Sequence, residues 1–199
     1  MYSSKSYKVR FPIYFEVERF HRAVVEDIND IDRLFEEKVK NLNERRSLDS
    51  KSSSFHEEIY DSEIYEPTLT EIKIANNDKM VRLLKDVFSK FETSLREIAI
   101  QVSSIEVIKK YKYKHSNFSN IECYKQTIID EKGLDLSPWD EIWGDIDDLR
   151  GNWRCLYEHE GNDLRKSDEE LKIKILDMND KTFSYLDNVI KLLNDFIVS

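Results

Sequence analysis

Arg154 and His159 stand five positions apart in the run from Trp139 to Gly161, and no other pair in the chain is better equipped for chemistry. A guanidinium stays charged at physiological pH and offers phosphate oxygens a planar fork of donors. An imidazole titrates near neutrality, so it can take up and release a proton during a reaction. Together they are the minimum equipment for metal-free phosphodiester cleavage. A plainer reading stands beside this one. Arg154 can pair with Glu158, and Arg150 with Asp147, as ordinary ion pairs at helical spacing. His159 can likewise be a cation stabilised at a helix C-terminus.

A second candidate is the run Lys109 to His115, where Lys109, Lys110, Lys112 and Lys114 interleave with Tyr111 and Tyr113. Lysines grip a nucleic-acid backbone and tyrosines stack on bases, so the run suits RNA. It equally suits the end of a long helix, whose dipole attracts cations, and most charge runs are solvated faces. His21, His56 and His115 lie in separate segments without carboxylates or thiolates at ligand spacing, and they read as incidental. The acidic residues Asp140, Glu141, Asp145, Asp147 and Asp148 point around several sides of one helix, which predicts a solvated face and no metal site. There is no phosphate-binding P-loop, glycine-rich dinucleotide turn or Gly-x-Ser-x-Gly elbow. No cofactor is expected.

These residues need a scaffold, and the composition says which kind. The 199 residues suffice for one domain with a real core, expected over 1–199. Only 4 Gly and 3 Pro leave too few turn residues for an all-β sandwich or a dinucleotide-binding α/β fold. The net charge of −9 argues against a broad phosphate-binding surface, though a site needs only local positive charge. Cys123 and Cys155 form no ligand spacing or disulfide framework. A polar stretch from Met1 to Arg10 carries no leader signal, and no apolar run approaches membrane-spanning length. A cytoplasmic protein without membrane association is the expectation.

The apolar spacing predicts an all-α bundle of four or five helices, two of them long. Tyr7, Val9 and Phe11 alternate up to Pro12 and suggest an extended arm. From Ile13 a helical stripe runs through Val17, Phe20, Val24, Ile28 and Ile31 to Leu42. Residues 45–58 read as a polar, flexible loop, and 59–74 carry no clear pattern. Asp78 is a candidate cap for a second long helix reaching Lys112. A shorter helix covers about Ile121 to Glu131 and stops at Gly133. Ser137 caps the next, with Pro138 first in line, and its apolar face holds Trp139, Ile142, Trp143, Ile146, Leu149, Trp153 and Leu156. Leu171 to Leu176 alternates like a short extended segment, and Asp180 is a candidate cap for a closing helix along Phe183, Leu186, Ile190 and Leu193.

The motif helix with Arg154, four intervening residues, His159 and then Gly161 resembles the signature of the HEPN domains. These are small helical proteins, many of them ribonucleases of prokaryotic antiviral defence (abortive infection) and toxin–antitoxin systems. Trp139 and the Leu149–Arg150 pair match the residues that commonly precede that signature. The resemblance covers roughly Lys79 to Val198, with Ile13 to Leu42 as a first helix. It implies a metal-independent endoribonuclease in which Arg154 and His159 are catalytic and Arg150, Cys155 and Glu158 support them. RNA, tRNA among its forms, would be the substrate, and a homodimer would bring two motifs into one cleft. An antitoxin or another defence protein would be a partner. Cys155 departs from the pattern, because relatives usually carry a polar residue such as Asn after the arginine. That departure, with the acidic surface, keeps open a non-catalytic helical module that binds a protein or RNA.

Overall fold

With so few glycines and prolines to interrupt it, apolar residues at three- and four-residue steps run on into long helices. The computed structural model describes residues 4–49, 61–114, 117–154 and 168–198. Among these, the protein is an all-α bundle of six helices, and no strand is present. They are α1 (Ser4–Asp49), α2 (Glu66–Val102), α3 (Ile105–Lys114), α4 (Asn120–Lys132), α5 (Asp140–Arg154) and α6 (Asp168–Val198). A π turn over Asp61–Tyr65 leads into α2, and a 3-10 turn over Ser137–Trp139 leads into α5.

Helix α2 is the centre. It packs on α1, α4 and α6, while α1 and α6 also meet each other, so the three long helices share one core. Val17, Val24 and Ile28 of α1 meet Met80, Leu84, Val87, Phe91 and Leu95 of α2 there, with Ile175, Tyr185 and Val189 from α6. Burial of each such side chain contributes about 1.5–3 kcal/mol. The buried Thr127 and Thr182 hydroxyls donate to carbonyls one turn back in their own helices, at 2.7 and 2.8 Å. No partner helix is needed to satisfy them.

The elements depart from the sequence expectation in several places, each with a physical reason. Helix α1 begins at Ser4 and runs through Pro12, so there is no extended arm over its first turns. Proline costs a helix one backbone bond. Once the long stripe beyond Ile13 has nucleated the helix, each added residue restores a bond, and the helix grows past that defect. At its other end α1 outlasts Leu42 and continues to Asp49. Arg46 donates to Asp61 at 2.5 Å and lies 4.6 Å over the Tyr65 ring, and Tyr65 donates to Asn43 at 2.6 Å. These contacts make the polar end of α1 helical by tying it to the entry of α2. The rest of the expected loop, 50–58, lies outside the described residues.

The patternless 59–74 stretch holds the true start of α2, with Pro67 in the first turn, where its missing N–H costs nothing. Asp78 is therefore an exposed interior residue and no cap. The helix predicted to reach Lys112 breaks instead at two serines. Ser103 leaves the helical region (φ −141°, ψ −147°), and Ser104 Oγ accepts from the Val107 N–H at 3.4 Å. Serine hydroxyls compete for backbone groups, so the pair ends one helix and starts another. Helix α4 fits its expectation closely. Ser119 and Glu122 form a reciprocal capping box, and Gly133 closes the helix at φ 61°, a conformation that glycine adopts without strain.

Two corrections concern the last third. Ser137 does not cap α5: Asp135 accepts from the Ser137 N–H at 3.0 Å, and a 3-10 turn precedes the α-helix. Residues 171–176 are helical, within α6. Leu171 (1% exposed) and Ile175 are buried one turn apart, while Ile173 between them is 60% exposed. The alternation is one helix face plus a solvent-facing isoleucine. Asp180 consequently lies in mid-helix and caps nothing.

Candidate functional site

Helix α5 carries the motif, and aromatic packing seats it. Its apolar positions put Trp143 and Ile146 in the core, with Trp139, Ile142 and Leu149 packed against it. The Trp143 ring lies 5.2 Å from Tyr185 of α6 and 6.2 Å from Phe91 of α2, centroid to centroid. Lys125 of α4 sits 4.7 Å over the same indole and pairs with Asp140 at 2.8 Å. Four helices thus converge on one tryptophan. Such ring pairs add about 0.5–1.5 kcal/mol beyond the area they bury.

The polar side of α5 faces α6 and itself. Lys181 bridges Asp145 and Asp177, each at 2.8 Å, and its hydrogen bond to Asp145, then that to Asp177, raises its pKa. Arg150 donates from Nε and Nη2 to Asp147 Oδ1 at 3.0 and 2.7 Å. The plainer reading of Arg150 and Asp147 as a helical ion pair therefore holds. Arg154 closes α5 one turn beyond Arg150. Its side chain, together with all of Cys155, Glu158 and His159, lies outside the described residues, as do the Trp153 side chain and Leu156.

The second candidate, the lysine run, forms α3, and this short helix buries no side chain. Tyr111 donates to Asp130 and Lys112 to Asn120, so two side chains fasten the helix to α4. Lys109, Lys110 and Lys114 are exposed and join no ion pair among the described residues. Tyr113 is 92% exposed.

Sequence reasoning missed two features. His21 is not incidental: its Nε2 lies 2.8 Å from Asp180 Oδ1, and its ring stacks on Phe183 at 4.4 Å. The buried Asn179 donates to the His21 carbonyl at 2.9 Å. The pair joins α1 to α6 across 159 positions, and no local spacing reports so distant a partner. The other is Tyr185, fully buried, whose hydroxyl has no hydrogen-bond partner among the described residues. Burial, and then the Asp140 carboxylate, push its pKa well above the ordinary phenol value. Burial also pushes the Cys123 thiol up, which keeps it protonated and unreactive.

Among the described residues, no cluster of three or more His, Cys, Asp or Glu is placed to hold a metal ion. No described helix is long and apolar enough to cross a membrane. No family model, curated protein or solved structure matches the chain.

Proposed function

We propose that this chain is a metal-independent endoribonuclease of the HEPN kind, acting in a defence or toxin–antitoxin role as a homodimer. The observation that carries the reading is the position of Arg154 at the end of a helix seated by Trp143 in an all-α bundle. A helix anchored so firmly upstream fixes the point from which the Arg154–His159 spacing begins.

In this reaction the RNA's own 2′-hydroxyl oxygen attacks the adjacent phosphorus, and the bond to the 5′-oxygen breaks. His159 of one copy accepts the 2′-hydroxyl proton, and the second copy's imidazolium returns a proton to the leaving 5′-oxygen. The products are a 2′,3′-cyclic phosphate and a 5′-hydroxyl. Arg154 donates to the phosphorane oxygens, where charge builds most in the transition state. Glu158 and Cys155 support the pair, and Arg150, held by Asp147, orients the helix behind it.

A second reading has its own support. Arg150 is neutralised by Asp147, and Cys155 stands in the usual polar position, which together favour a non-catalytic module that binds a partner protein or RNA. One experiment separates the two: total RNA and tRNA incubated with the purified protein in excess EDTA, with His159→Ala alongside. The enzyme reading expects cyclic-phosphate ends that vanish in the variant. RNA left intact by a folded dimer overturns it and supports the binding module.

A further inference from the structure

Helix α3 is short, buries no side chain fully and is the most cationic helix of an acidic protein. It holds four lysines against one carboxylate, Glu106, in a chain of net charge −9. At 100° per residue, Lys109, Lys110, Tyr113 and Lys114 fall on one face. That face points away from the core, because Ile108 packs inward and Tyr111 is engaged with Asp130. Tyr113 stands in the middle of the face, with Lys109 and Lys110 one turn before it and Lys114 next to it.

Glu106 offsets one of the four lysine charges and leaves the helix a surplus of three. Its carboxyl is held below the usual carboxylate range by its own backbone N–H, then by the Ser104 hydroxyl, with Lys109 and Lys110 adding to both. Of the other carboxylates near α3, Asp130 takes the Tyr111 hydroxyl and Glu122 takes the Ser119 N–H.

We propose that this face of α3 is a docking platform for single-stranded RNA, with Tyr113 as a stacking post and Lys109, Lys110 and Lys114 as phosphate contacts. Charge complementarity selects a polyanion, and the exposed ring selects one with unstacked π-faces. An anionic membrane fits less well, because Ile105 is the only exposed aliphatic side chain on the helix and no tryptophan accompanies it. The platform rests on the reading of the chain as RNA-acting but not on cleavage, since α3 and α5 are different helices. It names the form of substrate that the motif would meet, a strand whose bases are free.

The test uses the full chain and a labelled 2′-O-methyl oligonucleotide of about twelve nucleotides, which resists 2′-hydroxyl chemistry and so reports binding alone. Anisotropy titrations over a salt series are run on wild type, the Lys109/Lys110/Lys114→Ala triple variant, Tyr113→Ala and Tyr113→Phe. The triple variant is expected to lower the slope of log affinity against log salt by about 2, as loss of three phosphate contacts requires. Tyr113→Ala should weaken binding roughly tenfold, and Tyr113→Phe should retain it, because stacking needs the ring and not the hydroxyl. Since all four side chains are exposed, the variants leave the core intact. Equal binding by wild type and the triple variant, or tighter binding of duplex than of single strand, overturns the platform. So does lysine-dependent capture by phosphatidylserine vesicles without oligonucleotide binding. Binding here with no cleavage in EDTA sinks the nuclease alone, and cleavage without α3-dependent binding sinks the platform alone.

Discussion

A tyrosine hydroxyl sealed in a core without a partner is a standing cost. Tyr185 is fully buried among Phe91 and Trp143, and its oxygen finds no hydrogen-bond partner among the described residues. An unsatisfied buried polar group destabilises by about 1–3 kcal/mol. Tyr185→Phe keeps the ring stack and removes the desolvated oxygen. Its urea midpoint is expected to rise, by roughly 1 kcal/mol in stability. A fall of that size would mean that the hydroxyl has a partner, and the aromatic seat of α5 would need redrawing.

Among the elements, α6 shows how a helix can read as something else. Leu171, Ile173 and Ile175 alternate, and alternation is the mark of a strand, yet the buried set is Leu171, Ile175 and Met178. The two readings make opposite predictions for mutants. In the helix, Ile175→Ala opens a cavity and costs about 2–5 kcal/mol, while Ile173→Ala falls within about 0.5 kcal/mol of wild type. A strand with one buried face would make both equally costly, so chemical denaturation of the two variants decides.

The same comparison shows what was legible in the residues. The stripes along α1 and α2, the Gly133 stop and the apolar face of α5 follow from local spacing, because each is decided within a few turns. The break at Ser103 and Ser104 is a contest between a side-chain cap and a continuing stripe, and the stripe is the louder signal. The extra turns of α1 depend on Arg46 meeting Asp61 and Tyr65, and the role of His21 depends on Asp180. Pairings between distant segments leave no periodic trace. For the site, the Arg150–Asp147 bridge was readable from its spacing, whereas the seat of Trp143 required knowing which rings of α2 and α6 come to it.

At the scale of the molecule, the first and last helices are clasped together. Lys172 bonds Asp32 at 2.5 Å and His21 meets Asp180, so α6 closes the face that α1 and α2 leave open. A chain ending at residue 167 exposes Val24, Leu84, Phe91 and Leu95 along a continuous apolar seam. Such a truncated chain is expected to be digested by protease under conditions in which the intact protein survives. Equal resistance would show that α1 to α5 fold without α6.

The clasp also sets a clock. Trp143 meets Phe91 and Lys125 as soon as it is made, but Tyr185 comes later, so the helix that ends in Arg154 is only partly seated when it leaves the ribosome. At about 5–20 residues per second, the stretch from Arg154 to Leu193 takes several seconds to synthesise. For that interval the motif helix lacks the α6 side of its seat, and a complete scaffold comes with the last helix rather than with the motif's own translation.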